Sequence, residues 1–362
     1  MGFRSYLVRR LVIALLMLFV VMTINYALFF IMPGSPTTLF VNPLKGSAGG
    51  KEEFIKNLQA RWGFDKPPLE RFGIYVRNML TWNLGISLVS NQPISSEMLL
   101  RLWWTMELMG GSAILGILIG VALGVLVAYK RGGKFDTGMV TFSLVTYSLP
   151  VFWMGMIFIL IFTVNLHLLP SAAAYPYDWD LPGIAMNVTR MPVAYAVSGA
   201  NGTQWNGNMI FSLNPQGTLQ LLSGYISHLI MPLAVLTLFT YGGYLLLTRA
   251  TMIEALTEDY IVTAKAKGVP ERSVIFRHAL KNASLPLITS AALAFGFMLS
   301  GAIITESVFS WPGMGTWIFA AIGNNDYGVL QAVFYIIGVL VIIANIIADV
   351  LYGIIDPRIK YG

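Results

Sequence analysis

Six stretches of this chain are apolar for long enough to cross a bilayer, and polar segments of very unequal length separate them. The runs are approximately 11–32, 108–129, 139–164, 225–247, 285–305 and 329–352. Each reaches the roughly 20 helical residues that ~30 Å of hydrocarbon requires. An all-α integral membrane fold with six transmembrane helices is therefore predicted, because a helix satisfies its own backbone polar groups in lipid and irregular chain does not. The first run follows Arg4, Arg9 and Arg10 as a signal peptide would. It is long for a signal core, however, and Pro33-Gly34-Ser35-Pro36 is not a small-x-small cleavage site, so it is read as a retained span.

The polar segments divide the chain further. Residues 1–32 form the N-terminus and first span, 33–104 a large outer loop region, and 105–362 a five-span core with an outer insertion at 170–224 and a cytoplasmic region at 248–284. Within the first loop, helical patterns cover 52–62 and 68–79, and 93–101 reads as an amphipathic helix on the outer membrane face. The insertion is rich in Pro, Asn, Gly, Tyr and Trp without clear periodicity, which predicts an irregular cap. Asn187-Val-Thr189 and Asn201-Gly-Thr203 fit the glycosylation triplet there, a pattern frequent by chance.

The cytoplasmic region holds Glu258-Asp-Tyr-Ile-Val-Thr-Ala-Lys-Ala-Lys-Gly268 followed by Val269-Pro270. Thr257 is placed to cap a short helix, with Glu258 and Asp259 in its first turn and Lys265 and Lys267 in its last. Gly268 suits a left-handed terminating residue and Pro270 the start of the next helix. Ala264, Ala266 and Gly268 leave one flank nearly bare, which suits insertion into a partner's groove. An ordinary interfacial loop helix has the same local pattern.

Charge settles the expected orientation. Apart from the long first outer loop, the basic residues concentrate on one side of a six-span arrangement, from Arg4 to Lys134, Arg249, Lys281 and Lys360. The outer segment between the third and fourth spans has only Arg190, and that between the fifth and sixth has none. The first outer loop does carry lysines and arginines, but at 33–102 it exceeds the roughly 60 residues over which charge bias governs insertion. Both termini are expected in the cytoplasm. The net charge of +6 follows from this distribution, so no nucleic-acid partner is inferred. Charged residues make up 11% of the chain, against roughly 25% in soluble domains, which excludes an ordinary soluble fold. The absence of cysteine excludes disulfides and thiolate metal sites.

Candidate chemistry is sparse. The three histidines (167, 228, 278) are scattered without metal-ligand spacing. No Walker A pattern occurs, so ATP, if it drives this protein, binds elsewhere. Glu107, Glu306 and Asp349 lie near span ends and read as structural or helix-packing groups. Tyr241, Tyr244, Ser300 and Asn345 are the candidate lining of a translocation path, although their neighbouring glycines serve equally for close helix packing. Pro150, Pro232 and Pro286 are expected to kink or start helices.

Several motifs in consistent order resemble the dipeptide/oligopeptide branch of ABC-importer permeases. They are the 258–270 unit, Arg277-His-Ala-Leu-Lys-Asn282, Leu285-Pro286, Glu306-Ser-Val-Phe-Ser-Trp-Pro-Gly-Met-Gly315, Asn325-Asp-Tyr327 and Ile355-Asp-Pro-Arg-Ile-Lys-Tyr-Gly362. Tyr6-Leu-Val-Arg-Arg-Leu and Thr105-Met-Glu-Leu108 extend the resemblance toward the N-terminus. It implies a permease subunit of an ATP-driven, binding-protein-dependent importer in the cell membrane, for peptides or oligosaccharides, nickel also being carried in this branch. Implied partners are a homologous second permease subunit, two ATPase subunits, an extracytoplasmic substrate-binding protein and membrane lipids. ATP and Mg would sit on the ATPases, this chain binding no cofactor or metal and being no enzyme. The coupling helix would comprise Glu258, Asp259, Tyr260, Thr263, Ala264, Ala266, Lys267 and Gly268. The family's Glu-Ala-Ala-x-x-x-Gly pattern aligns here as Val262-Thr263-Ala264 ending at Gly268, so its glutamate is missing. An ion-coupled secondary transporter of small solutes is the rival reading; it would need an ion-coupling residue inside the spans and no ATPase.

Overall fold

The computed structural model describes residues 3–30, 63, 66–87, 89–90, 92–171, 184–185, 196–199, 202–205, 215–298 and 303–355. Helix α1 (Phe3–Phe30) is followed by the short α2 (Pro68–Leu80). Helix α3 (Ile94–Thr105) runs through a π-helical turn (Met106–Gly110) into α4 (Gly111–Tyr129), making one apolar rod. Then come α5 (Lys134–Ser148) and α6 (Val151–Phe158), the latter prolonged by a π-helical segment (Ile159–Asn165). A small antiparallel sheet, β1 (Ile184–Ala185), β2 (Ala196–Gly199) and β3 (Gly202–Trp205), lies in the insertion, with Gly199 opposite Gly202. Helix α7 (Pro215–Thr257) is the longest. Beyond it are α8 (Asp259–Ala266), α9 (Glu271–Ser273), a third π-helical segment (Val274–Ala279), α10 (Leu280–Met298), α11 (Ile303–Val308), α12 (Met314–Gly323) and α13 (Tyr327–Ile355).

Among the described residues four helices are long and apolar enough to cross a membrane, or five if a bent pair counts as one span. That pair is α5–α6, where the expected third span breaks by 100°. The cause is local. Proline has no N–H and forces its predecessor out of the helical region, and Leu149 (φ −72, ψ 135) and Pro150 (φ −58, ψ 127) are both extended. Pro232 and Pro286, by contrast, sit inside α7 and α10 without ending them. The expected fifth span maps onto α10 and α11, and 299–302 between them lie outside the described residues. So do the 52–62 helical pattern, both glycosylation triplets as whole units, and Ser300.

At 43 residues, α7 is about 65 Å long, roughly twice the hydrocarbon thickness. It is the axis of the molecule. Helix α4 lies against it through glycines at every fourth position, all on one helical face. A Cβ built on Gly116 would stand 2.7 Å from Thr240 Cβ, on Gly120 2.6 Å from Tyr244 Cβ, and on Gly124 2.5 Å from Thr248 Cβ. The same positions come within 2.7 and 2.9 Å of the carbonyl oxygens of Tyr241 and Leu245, so backbone faces backbone. Lipid tails are as apolar as side chains, and such close contact is what holds helices together in a bilayer.

A second core unites the N-terminal part with the C-terminal helices. Met22, Tyr26 and Phe29 of α1 pack with Tyr75 and Met79 of α2, Ile94 and Met98 of α3, Trp317 and Ile318 of α12, and Val329 and Val333 of α13. Asn25 Nδ2 donates to Gln331 O at 2.9 Å, tying α1 to α13. Segment 93–101 was expected on the membrane face; its apolar side instead meets these protein groups, and Ile94 and Met98 are fully buried. Helix α2 falls where the 68–79 pattern placed it.

The Gly120→Leu variant is expected to lose on the order of 3 kcal/mol, since α7 cannot retreat from a side chain there. Gly138→Leu, where a Cβ meets nothing within 4 Å, is the control and should melt as the parent does. Thermal unfolding in detergent, followed by size-exclusion profile, checks both.

Candidate functional site

The 258–270 unit forms as a rigid body. Helix α7 ends at Thr257, whose Oγ1 donates back to Glu254 O at 2.7 Å instead of capping α8. Glu258 occupies the capping position in extended conformation (φ −72, ψ 147), with no side-chain cap. Thr257 was expected in this role, and the long helix claims it because nothing before Glu258 breaks α7. The C-terminal end matches expectation. Gly268 is left-handed (φ +73), its N–H donates to Lys265 O at 3.0 Å, and the N–H of Val269 donates to Ala264 O at 3.2 Å. This paired closure is the Schellman motif, which leaves few helix-end carbonyls unpaired. Pro270 then supplies the carbonyl that receives the N–H groups of Ser273 and Val274.

One face of α8 is turned inward. Ile261 and Ala264 pack with Val125 and Ala128 of α4, Met252 and Ala255 of α7, and Val274, Ala279 and Ala283 beyond. Ala264 is 6% exposed, so it is not part of a bare outward flank as the sequence suggested; its small size lets α8 lie close to three other elements. The outward face consists of Glu258, Asp259, Val262, Thr263, Lys265, Ala266, Lys267 and Gly268, while Tyr260 is half-buried. Val262, 62% exposed, is an apolar knob on this face that the motif reading passed over. Only its placement one turn before Ala266 marks it in the sequence.

The path candidates are scattered. Tyr241 and Tyr244 are 3% and 6% exposed and sit in the helix contacts of α7, Tyr244 against Gly120 and Tyr241 within 3.5 Å of Thr146 Oγ1. They line no open surface of this chain; the packing role of the Tyr241–Tyr244 stretch accounts for both. Asn345 is exposed on α13 among isoleucines 343 and 347. Ser300 is outside the described residues, so the four are not brought together. A cavity of about 300 Å³ does open between α3, α12 and the 87–92 segment, lined by Gln92, Glu97, Arg101, Trp317 and Asn324 among others. It lies on the side the charge pattern assigns to the exterior.

Glu306 is completely buried and has a structural task, as its position near a span end suggested. Its Oε2 accepts the N–H of Gly315 at 2.7 Å and of Thr316 at 3.2 Å, the second and third residues of α12. Thr105 Oγ1 donates to Glu306 Oε1 at 2.8 Å and accepts the Met314 N–H, also at 2.8 Å. A carboxyl and a hydroxyl borrowed from other helices thus cap α12, receiving its first N–H groups. Gly313 has to be glycine, since a Cβ there would stand 2.5 Å from both Glu306 Oε2 and Thr105 Oγ1. Trp311 closes the site, donating Nε1–H to Trp104 O at 3.0 Å with the two indoles edge to face at 5.3 Å. The Glu306–Gly315 motif is therefore a helix-docking device. Sequence spacing could not pair residue 105 with 306.

A second tie escaped the sequence reading. Arg249 Nε and Nη2 donate to Asp136 Oδ1 and Oδ2 at 2.6 and 2.8 Å, joining the start of α5 to the C-terminal part of α7. In the sequence Asp136 looks like one more first-turn acid beside Lys134.

These elements define a polytopic helical membrane protein with a rigid, partly polar unit carried beyond the apolar part of its longest helix. Residues 120–361 match the family described as binding-protein-dependent transport system inner membrane component, and residues 3–108 match the family described as its N-terminal membrane component. The chain belongs to this family of inner-membrane transport components. It is 33% identical over 357 residues to the di/tripeptide transport system permease protein DppB of Pseudomonas aeruginosa, covering 99% of both chains. The dipeptide transport system permease protein DppB of Escherichia coli K12 is likewise 33% identical over 99% of both. The oligopeptide transport system permease protein AppB of Bacillus subtilis is 32% identical over 358 residues, again 99% of each.

Glu306→Ala is expected to destabilise the protein by about 3 kcal/mol, because it strands two buried N–H groups and the Thr105 hydroxyl. Glu306→Gln, which keeps an acceptor oxygen, should lose less. Hydrogen exchange at the amides of residues 314–316 reads the effect directly, and should accelerate in the alanine variant well before global unfolding.

Proposed function

We propose that this chain is one of two permease subunits of an ATP-driven importer of peptides, and that α8 is the coupling helix through which ATPase subunits act. The observation that carries the reading is the placement of α8. It is capped at its C-terminal end, seated on α4, α7 and the start of α10, and presents Val262, Thr263, Ala266, Lys267 and Gly268 outward. Since α7 continues about 15 Å past the predicted end of its apolar run at residue 247, the unit stands clear of the bilayer. The membership of the chain in a binding-protein-dependent system supplies the context, and the peptide names of its relatives favour peptides over oligosaccharides or nickel.

In this reading the chain has six spans with both termini in the cytoplasm, a homologous permease completes the path, and two ATPases hold ATP and Mg. The domain division at 33–104 and 105–362, with the insertion at 170–224, belongs to the same proposal. Closure of the ATPase pair displaces α8. A well-packed interior resists compression, so α7 and α4 carry that displacement into the membrane. The outer cavity beside Arg101 and Asn324 faces the side from which a binding protein delivers its cargo.

Gly268→Asp adds no clash, for a Cβ at Gly268 meets nothing within 4 Å, but it forces an L-residue into left-handed backbone. The expected cost is about 1 kcal/mol, so the protein still folds and inserts. It places an anionic side chain on the docking face, and transport should fall at least about tenfold relative to ATP hydrolysis. Gly268→Asn, which tolerates left-handed backbone and adds no charge, should be much milder. Normal assembly with the parent's amount of transport per ATP hydrolysed in Gly268→Asp would sink the coupling role. Titrating the cognate binding protein with di-, tri- and oligopeptides and with oligosaccharides tests the substrate class.

A further inference from the structure

Helix α5 is built inside out. Its fully buried side chains are Asp136, Ser143 and Thr146, all polar, while Phe135, Phe142, Leu144 and Val145 are exposed. In lipid that arrangement is sensible: apolar groups face the tails, and the polar stripe is turned onto α7. The grip on α7 is therefore made by a polar stripe with identifiable contacts. At one end Arg249 clasps Asp136 with two hydrogen bonds, and the Gly132 N–H adds a third to Oδ2 at 2.8 Å. In the middle Gly242 lets the Ser143 carbonyl approach to 2.9 Å of a Cβ position, yet Ser143 Oγ itself finds no partner. At the far end Thr146 comes within 3.5 Å of the Tyr241 hydroxyl, and the Tyr147 and Phe239 rings stack at 5.4 Å.

Both ends of α5 are breaks in the helical backbone. The preceding turn holds Gly132 in left-handed backbone (φ +79) next to Gly133, and the following joint at Leu149–Pro150 is extended. Helix α6 beyond the joint has its own anchorage, Met154 packing with Met231 and Val235 of α7 and Phe309 after α11. Among the described residues α5 packs mainly on α7, with a smaller contact to α4, and Asp136–Arg249 is the ion pair of the α5–α7 seam. Arg249 lies eight residues before the end of α7, about 12 Å along the axis from the junction with α8.

We propose that the Asp136–Arg249 pair is the positioning contact that makes α5 move with α7, so that displacement of α8 reaches the broken span α5–α6. The inference rests on the reading of α8 as the driven element. The pair suits the task because a bidentate guanidinium–carboxylate contact fixes direction as well as distance, and Arg249 sits on the same rigid rod that ends at α8.

The test uses the whole importer, with its ATPases and loaded binding protein, in proteoliposomes. Asp136→Asn should assemble and hydrolyse ATP within about twofold of the parent, while substrate accumulated per ATP falls about tenfold, a loss that a coupling contact, but not a mere fold support, would give. Arg249→Lys, which keeps the charge and loses the fork, should fall about threefold. The exchanged pair, Asp136→Arg with Arg249→Asp, should recover part of what Asp136→Asn loses. The proposal is overturned if Asp136→Asn transports normally per ATP, or if transport declines only in step with the amount of assembled complex. If the parent chain itself fails to capture ATPase subunits, the reading of α8 goes first and this inference falls with it, so the two failures are distinguishable.

Discussion

Backbone contact between α4 and α7 is the condition on which the remaining structure rests. Gly116, Gly120 and Gly124 let the α4 backbone lie directly on Thr240, Tyr244 and Thr248 of α7 along three successive turns. In hydrocarbon there is no hydrophobic penalty for separating two helices, so dispersion at close range has to hold them. Once α4 is fixed to α7, other elements take their positions from α7. Helix α5 meets it at Gly242, α6 at Met231 and Val235, and α8 at Met252 and Ala255.

The interruptions obey a second constraint of the same solvent. Wherever the chain stops being helical at membrane depth, its polar groups have to find partners in the protein. At α12 the problem is acute, because a helix starts beside a buried turn and three of its N–H groups point inward. Glu306 and Thr105 receive them, and Gly313 makes room. Asp326 does the same for α13: its Oδ1 accepts the Val329 N–H at 3.3 Å, and Ser87 donates to its Oδ2 at 2.6 Å. Glu306 and Asp326 are thus caps placed by long-range folding, which explains why they stand near helix ends.

What could be read from sequence divides along the range of the interaction involved. Composition and apolar run length depend on one residue at a time, and they gave the class of protein and most of the spans. Gly268 and Pro270 act on their own backbones, so the C-terminal closure of α8 was legible; the family motifs around it pointed to a role. The N-terminal boundary was not, because Thr257 is a fair cap in isolation and α7 simply runs through it. The bend at Leu149–Pro150 was foreseen as a kink, whereas its 100° size was not. The pairs Thr105–Glu306 and Asp136–Arg249 join residues more than a hundred positions apart and left no periodic signal. The packing of Tyr241 and Tyr244 was illegible for a related reason: a tyrosine beside glycines looks the same whether the glycine faces a void or another helix.

The small residues around α8 also have a mechanical meaning different from the one their exposure would have given. Ala128, Ala255, Ala264, Ala279 and Ala283 all contribute to one buried cluster, with Val125, Met252 and Ile261 filling between them. A cluster rich in alanine brings backbones close together, so it has little side-chain freedom to absorb a displacement. Large flexible side chains at the same places would yield by changing rotamer before the helices moved. The unit is therefore packed as a plate against α4, α7 and the start of α10. A force applied to Val262 or Ala266 has a stiff route along α7 and a soft one through α5. The balance between them is set by the few polar contacts of the α5–α7 seam rather than by the size of the hydrophobic core.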